Sequence, residues 1–582
     1  MNWRPRLWIG VLGVASILAP PGCDYSARRS EYEALPGVTS QSLEAQISQK
    51  TSKSAPKSAS NKANVHAADS EMQKTLVDGT MRLIESAATT PGGDHFQLAI
   101  DNLNHYFEST DPQSFVMSGE AREYLKSRVP ASLLAELENP EFKKRDGRHL
   151  EDCLLYHTIS ARVAGTGDEL SRVRTIFEWI VQQVQLVPDG SLAPPKMPQV
   201  QARPYDVLLR GMATEQGGAW SERGWLFVAL CRQLGIDAGL LIYTPKNRKA
   251  DEGIPWICGA VIDQKVYLFD ARIGMPIPGP DGQGVATLEE AATNPAVLAQ
   301  LDLPGQSNYG PTAADLAAHK VTVLIDSTLG YLSPRMMLLQ ERLAGKSRMV
   351  LYRDPAAQRD AFQEAMGDRF GGVELWKMPI SVDVLLFQDP KFVEATQYPI
   401  RYFDARLPLL SARLDQLRGE IESAKEKYLN LRFAEKLTLN DREKTPVTRE
   451  TQHALDMYAT YFLALCQLDQ DHADQAVMFC RQTLELMPLP RMGVAPEPWR
   501  AEPYYHMFRW GAQSNLARLC ESKGQGREAI AYYCEMYPTP QYHGNLFRAR
   551  DLVWRDPSAA LPEPLPPAPP EVRPAGVAGA GP

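Results

Sequence analysis

The stretch that most constrains this chain runs from Arg210 to Asp237 and reads RGMATEQGGAWSERGWLFVALCRQLGID. Its centre is an unbroken apolar run, Trp225-Leu226-Phe227-Val228-Ala229-Leu230, continued by Cys231 and Leu234 and closed by Gly235. The run reads as the apolar body of a helix. Ser221, just ahead of the run, is suited to cap it. A helix N-terminus carries about half a positive charge and free N–H groups, so the residue at its start decides what chemistry the helix can support. In this chain that residue is Trp220.

The segment Trp256 to Gly274, WICGAVIDQKVYLFDARIG, alternates as a strand, a turn at Asp263 and Gln264, and a second strand from Lys265 to Phe269 that ends at Asp270. Together the helix and the hairpin resemble the transglutaminase-like superfamily. The resemblance implies an α+β, papain-like core in which a Cys begins the buried helix, a His opens the first strand and an Asp ends the second. In such a site the thiol attacks, the His moves the proton and the Asp orients the His.

The matching positions here are Trp220 for the Cys, Trp256 for the His and Asp270 for the Asp. Tryptophan offers only an N–H donor and has no acid or base chemistry near neutral pH. The resemblance therefore implies a catalytically degenerate domain whose old cleft, Trp220, Ser221, Trp256, Cys258 and Asp270, binds a protein or peptide partner.

Three other residues could stand in for the missing nucleophile. Cys231 returns to nearly the same helix face as Trp220 but about 16 Å along the axis, too far to act there. Ser221 is rotated by roughly 100° from the slot. Cys258 lies two residues along a strand from Trp256, about 7 Å away and on the same expected face. An active thiol enzyme using Cys258 is thus one alternative, and a purely structural envelope protein is another. No cofactor and no metal is expected. His149, Cys153 and His157 share a helix face at i, i+4 and i+8, the one spacing that would suit metal ligands; the plain reading is an amphipathic helix.

The first residues read as a targeting segment: Arg4 and Arg6, then an apolar stretch from Leu7 to Ala19, then Pro20-Pro21-Gly22-Cys23. Residues 1–23 are expected to be a lipoprotein signal, with Cys23 as the lipidated attachment point, so the protein is exported and faces the periplasm or the cell surface. With Cys23 acylated, seven of the eight cysteines remain, an odd number that leaves at least one free thiol. Net charge is −8 and the pI about 5.8, with no basic stripe, so nucleic acid is not an expected partner.

A length of 582 residues suggests several domains. Residues 24–69 are polar and Ser/Ala/Lys-rich, a flexible tether. Residues 70–164 form a helical lead-in, with Val77, Met81, Ile84, Ile100, Leu103 and Phe107 at helical spacing. The transglutaminase-like domain takes 165–302, opening on a helix over 170–184. Residues 303–400, with VTVLIDS and SRMVLYRD as strands, suggest a small α/β extension. Residues 401–555 read as helical: a long, charged, exposed hairpin arm from Leu409 to Leu431, then two stretches resembling tetratricopeptide repeats. Residues 556–582 form a Pro-rich, disordered tail.

Overall fold

The computed structural model describes residues 76–85, 95–108 and 116–559, apart from 189, 195–196, 198, 215–220, 250–251, 304–307, 346–347, 438–444 and 489–503. Expectations about Cys23, the tether, Trp220 and the tail beyond 559 lie outside these residues, as does the side chain of Ser221. The architecture is α+β. Among the described residues, no helix is long and apolar enough to cross a membrane.

The apolar run forms the central helix Ser221–Gln233. Every residue from Trp225 to Cys231 is at most 3% exposed. Gly235, at φ +79°, stops the helix in the left-handed conformation that glycine adopts without strain. The opening helix is Glu169–Gln183, with Asp168 accepting from the Ser171 N–H as its cap. Its Ile176, Phe177, Trp179 and Ile180 are buried against the same core.

The expected hairpin is present as β4 (Ile254–Ile262) and β5 (Lys265–Asp270), antiparallel. Asp263 and Gln264 take φ of 48° and 57°, the two left-handed residues a tight two-residue hairpin turn needs. Two short strands before it, β1 (Gln185–Val187) and β2 (Met212–Thr214), pair in parallel ahead of the central helix. The hairpin belongs to a six-stranded sheet in the order β6-β5-β4-β3-β7-β8. Here β3 is Ala238–Tyr243, β6 Met275–Pro276, β7 Val321–Asp326 and β8 Phe370–Trp376. The segment VTVLIDS supplies β7, which pairs with β3, so the expected extension is continuous with the hairpin through one sheet.

Two expectations are corrected here. SRMVLYRD is not a strand. Much of its backbone bonds to side chains instead: Val350 N–H donates to Gln233 Oε1 at 3.0 Å, Leu351 N–H to Gln340 Oε1 at 2.7 Å, and Leu351 O lies 3.0 Å from His149 Nε2. The strand that follows β7 is β8, parallel to it. The stretch from Leu409 to Leu431 is a helical hairpin as expected, but its first helix is buried rather than exposed. The two helices are Leu410–Arg418 and Ile421–Arg432, and Arg413 is 1% exposed, donating to Leu208 O, Gln183 Oε1 and Gln416 Oε1. Charge suggested solvent, but the charge has internal partners.

One apolar core joins the opening helix, the central helix, the Cys258 face of the hairpin and the C-terminal helices Arg449–Asp469, Ala473–Leu486, Tyr505–Ser522 and Gly526–Cys534. A second core covers the opposite face of the sheet. The lead-in residues Val77, Met81, Ile84, Ile100, Leu103 and Phe107 are buried in a third. The seven described cysteines are all free, six of them buried.

Candidate functional site

The first turn of the central helix rests on the end of the hairpin. Cys258 Sγ is 3.8 Å from Gly224 O, and a Cβ at position 224 would lie 3.2 Å from the same sulfur, so glycine lets the helix sit close to the strand. Arg223 reaches past it, donating from Nη1 to Ala271 O at 3.0 Å, next to Asp270. The helix start and the end of β5 are therefore adjacent. Trp220 stands one residue ahead of this turn and lies outside the described residues.

Asp270 is completely buried and fully bonded. Its Oδ1 accepts from the Arg272 N–H at 2.9 Å, Arg272 Nε at 3.1 Å and the Ile273 N–H at 3.4 Å. Its Oδ2 accepts from Arg272 Nη2 at 2.8 Å and the Tyr309 hydroxyl at 2.6 Å. Trp256 Nε1 donates in turn to the Tyr309 oxygen at 3.1 Å. The structure thus brings Trp256 and Asp270 together, through a tyrosine that sequence spacing did not suggest. Burial alone would raise the Asp270 pKa, but the Arg272 charge and the donated hydrogen bonds outweigh it and hold the carboxyl below its usual range. It is an anion whose lone pairs are taken.

Cys258 does not share a face with Trp256, as simple alternation suggested. The pairing of β4 with β3 shifts by one residue, Leu241 opposing Ile257 and Ile242 opposing Pro255, so Trp256 is the extra residue of a bulge. Trp256 joins the core that holds Tyr309, Val266 and Leu268, while Cys258 joins the central helix in the other. Burial, reinforced by the Asp270 charge, pushes the Cys258 thiol far up. A buried, protonated thiol is a poor nucleophile. Burial likewise pushes up the Cys231 thiol. One imidazole on this side, His543, has its ring 6.2 Å from that of Tyr309, and its Nε2 lies 2.8 Å from Leu301 O. Its helix docks closely here: a Cβ on Gly544 would meet Ile273 O at 2.0 Å.

Two buried charges of the central helix escaped sequence reasoning because their partners are remote. Glu222 pairs with Arg210, at 0% and 2% side-chain exposure, and Arg223 binds only neutral oxygens. The short motif Ser-Glu-Arg-Gly gave no sign of this.

His149 and Cys153 do meet, with Sγ 3.5 Å from Nε2, but the sulfur also donates to the Tyr331 hydroxyl at 3.4 Å and His157 is only half-buried. Among the described residues no group of three or more His, Cys, Asp or Glu side chains is placed to hold a metal ion. Burial drives His149 down to about 4, from 6.5, against the hydrogen bond to Leu351 O and the charges of Asp146 and Asp326, with Arg232 adding to the lowering. The folded state thus holds the neutral ring. Its contribution, about 3 kcal/mol, is present above pH 6.5 and is lost as pH falls toward 4.

Asp383, raised by burial to about 6, acts with opposite sign in the lower part of that window, its contribution fading as pH rises through 6. The comparison must therefore be between chains. We expect His149→Gln to lose about 3 kcal/mol less than the wild type between pH 7 and pH 4, read from urea midpoints. Parallel curves would mean that His149 is not held neutral.

No family model matches this chain, and comparison with characterised proteins and with solved structures gives no significant match to either.

Proposed function

We propose that this is an exported, lipid-anchored protein whose papain-like, transglutaminase-type core has given up acyl-transfer chemistry and serves in binding or scaffolding at the cell envelope. The observation that carries this reading is the state of Asp270. In a working triad the carboxylate is free to orient a His; here Arg272 and Tyr309 occupy it, and the residue in the His slot, Trp256, donates into the same network. Asp270 has become a structural anion. A helix start and a strand end that stay together without their proton-handling groups are a scaffold for recognition, to which indole contributes large apolar area.

The reading is tested with a thiol-reactive acyl-transfer probe on the native chain, sites being assigned by mass spectrometry. Cys258 is expected to stay unmodified in buffer and to react in urea, because the residue is 1% exposed and its thiol is held protonated. Stoichiometric modification of native Cys258 would instead establish the thiol-enzyme alternative. The anchor has its own test: a fatty-acid analogue should label the wild-type chain in cells and not Cys23→Ser. Equal labelling of both would remove Cys23 from that role.

A further inference from the structure

Away from this site, a polar hollow of about 410 Å3 opens between the opening helix, the turn after Arg449–Asp469, the end of Tyr505–Ser522 and the last long helix, Gln541–Arg555. Its walls carry two guanidinium groups, Arg518 and Arg548, and three carboxylates, Glu178, Asp471 and Glu521. The two arginines are not equally served. Arg548 Nη1 pairs with Glu521 Oε2 at 3.0 Å, an oxygen that also accepts from the Tyr533 hydroxyl at 2.5 Å. Arg518 has a backbone partner, Gly274 O at 2.9 Å, and among the described residues no carboxylate lies within ion-pair distance of it.

The Nε atoms of both arginines are buried with no hydrogen-bond partner. Burial, with the like charge of Arg548 beside it, pushes Arg518 down to about 10. Glu178 and Asp471 are exposed at the rim. A partly desolvated guanidinium that lines a hollow without a carboxylate partner is a strong receptor for a planar carboxylate. The surrounding excess of one negative charge disfavours a dianion and suits a ligand that brings a cation with its carboxylate.

We propose that this hollow binds a zwitterion, its carboxylate held by Arg518 and its ammonium group facing Glu178 and Asp471. A free amino acid and a short peptide both present that chemistry. The site shares no residue with the degenerate cleft, so it stands or falls independently of the function proposed above.

The test is titration calorimetry on the full chain with glycine, triglycine, N-acetyl-triglycine, triglycine amide and inorganic phosphate. Saturable binding of glycine or triglycine is expected. Removing either terminal charge should weaken triglycine about tenfold, as should Arg518→Gln. Because Arg518 also holds Gly274 O, the exposed Glu178→Gln is the second variant; it should weaken triglycine while leaving N-acetyl-triglycine unchanged. Glycine binding as well as triglycine identifies a free amino acid, and triglycine alone a peptide. The proposal is overturned by no saturable binding of either up to about 10 mM, by equal binding of the capped peptides, by phosphate binding more tightly, or by affinities that neither variant alters.

Discussion

Replacing Glu222 by Gln should cost about 3–5 kcal/mol of stability, read as a large fall in the urea midpoint. The carboxylate is fully buried and serves four donors. Oε1 accepts from the Ala202 N–H at 2.7 Å, and Oε2 from the Thr214 N–H at 2.8 Å, the Thr214 hydroxyl at 3.2 Å and Arg210 Nη2. A carboxamide has one oxygen, so whichever way it turns, its NH2 group faces a donor that has lost its acceptor. Arg210 accounts for the greater part of the loss. Its guanidinium is 2% exposed, and apart from Glu222 it donates from Nε to Met212 O at 2.8 Å.

Removing the anion leaves a buried cation without a counter-charge, the costly half of breaking a buried pair. A loss of that size is a large share of the 5–15 kcal/mol by which folded chains usually exceed their unfolded states. The companion experiment separates charge from packing. Glu222→Gln combined with Arg210→Met removes both charges and should recover part of the loss, since the two effects share one interaction. A single-variant loss under about 1 kcal/mol would show that Glu222 is not a desolvated partner of Arg210.

The sequence made legible what depends on neighbours. The central helix follows from an apolar run with no polar face, and the hairpin from alternation interrupted by Asp263 and Gln264. The opening helix begins at Asp168, the capping side chain just before the first apolar turn. Distant satisfaction was not legible. SRMVLYRD has the composition of a strand, but Gln233 and Gln340 take its N–H groups. Leu409 to Leu431 has the charge of a surface, but besides Gln416 the acceptors of Arg413, Leu208 O and Gln183 Oε1, lie more than two hundred residues earlier.

The candidate site divides along the same line. Asp270 at the end of β5 and Trp256 near the start of β4 follow from the hairpin register, whereas Tyr309, which joins them, lies 39 residues beyond Asp270 in a separate segment. The bulge that turns Trp256 away from Cys258 has no signature in WICGAV. A one-residue shift exchanges the faces of a strand, so the expectation for Cys258 failed on a single position.

The second large effect is expected at Arg223, where substitution by Met should lower stability by about 3 kcal/mol or more. The side chain is fully buried and joins three segments of the chain. Nε donates to Val184 O at 3.1 Å, as does Nη2, while Nη1 donates to Ala271 O at 3.0 Å and to Gln541 Oε1 at 2.9 Å. No carboxylate is among these partners, and burial lowers the Arg223 pKa to about 9. The charge is therefore expensive, and Met would relieve that expense while filling similar volume. What Met cannot do is satisfy the acceptors. Three buried oxygens lose their donor together, at about 1–3 kcal/mol each, which outweighs the relief.

The loss should also have a pattern. Val184 precedes β1, Ala271 follows Asp270, and Gln541 begins the helix whose Gly544 lies against Ile273 O. Hydrogen exchange should accelerate at all three segments in Arg223→Met, and the Asp270 network should loosen with them because its anchor Arg272 is next in sequence to Ala271. Arg223→Lys keeps the charge but offers one nitrogen for three directions, so it should not restore protection at all three. Acceleration confined to the central helix would mean that each segment holds by itself. Simultaneous loss would mean that one guanidinium keeps the helix start, the end of β5 and the C-terminal helix in register, the arrangement on which any function at this site depends.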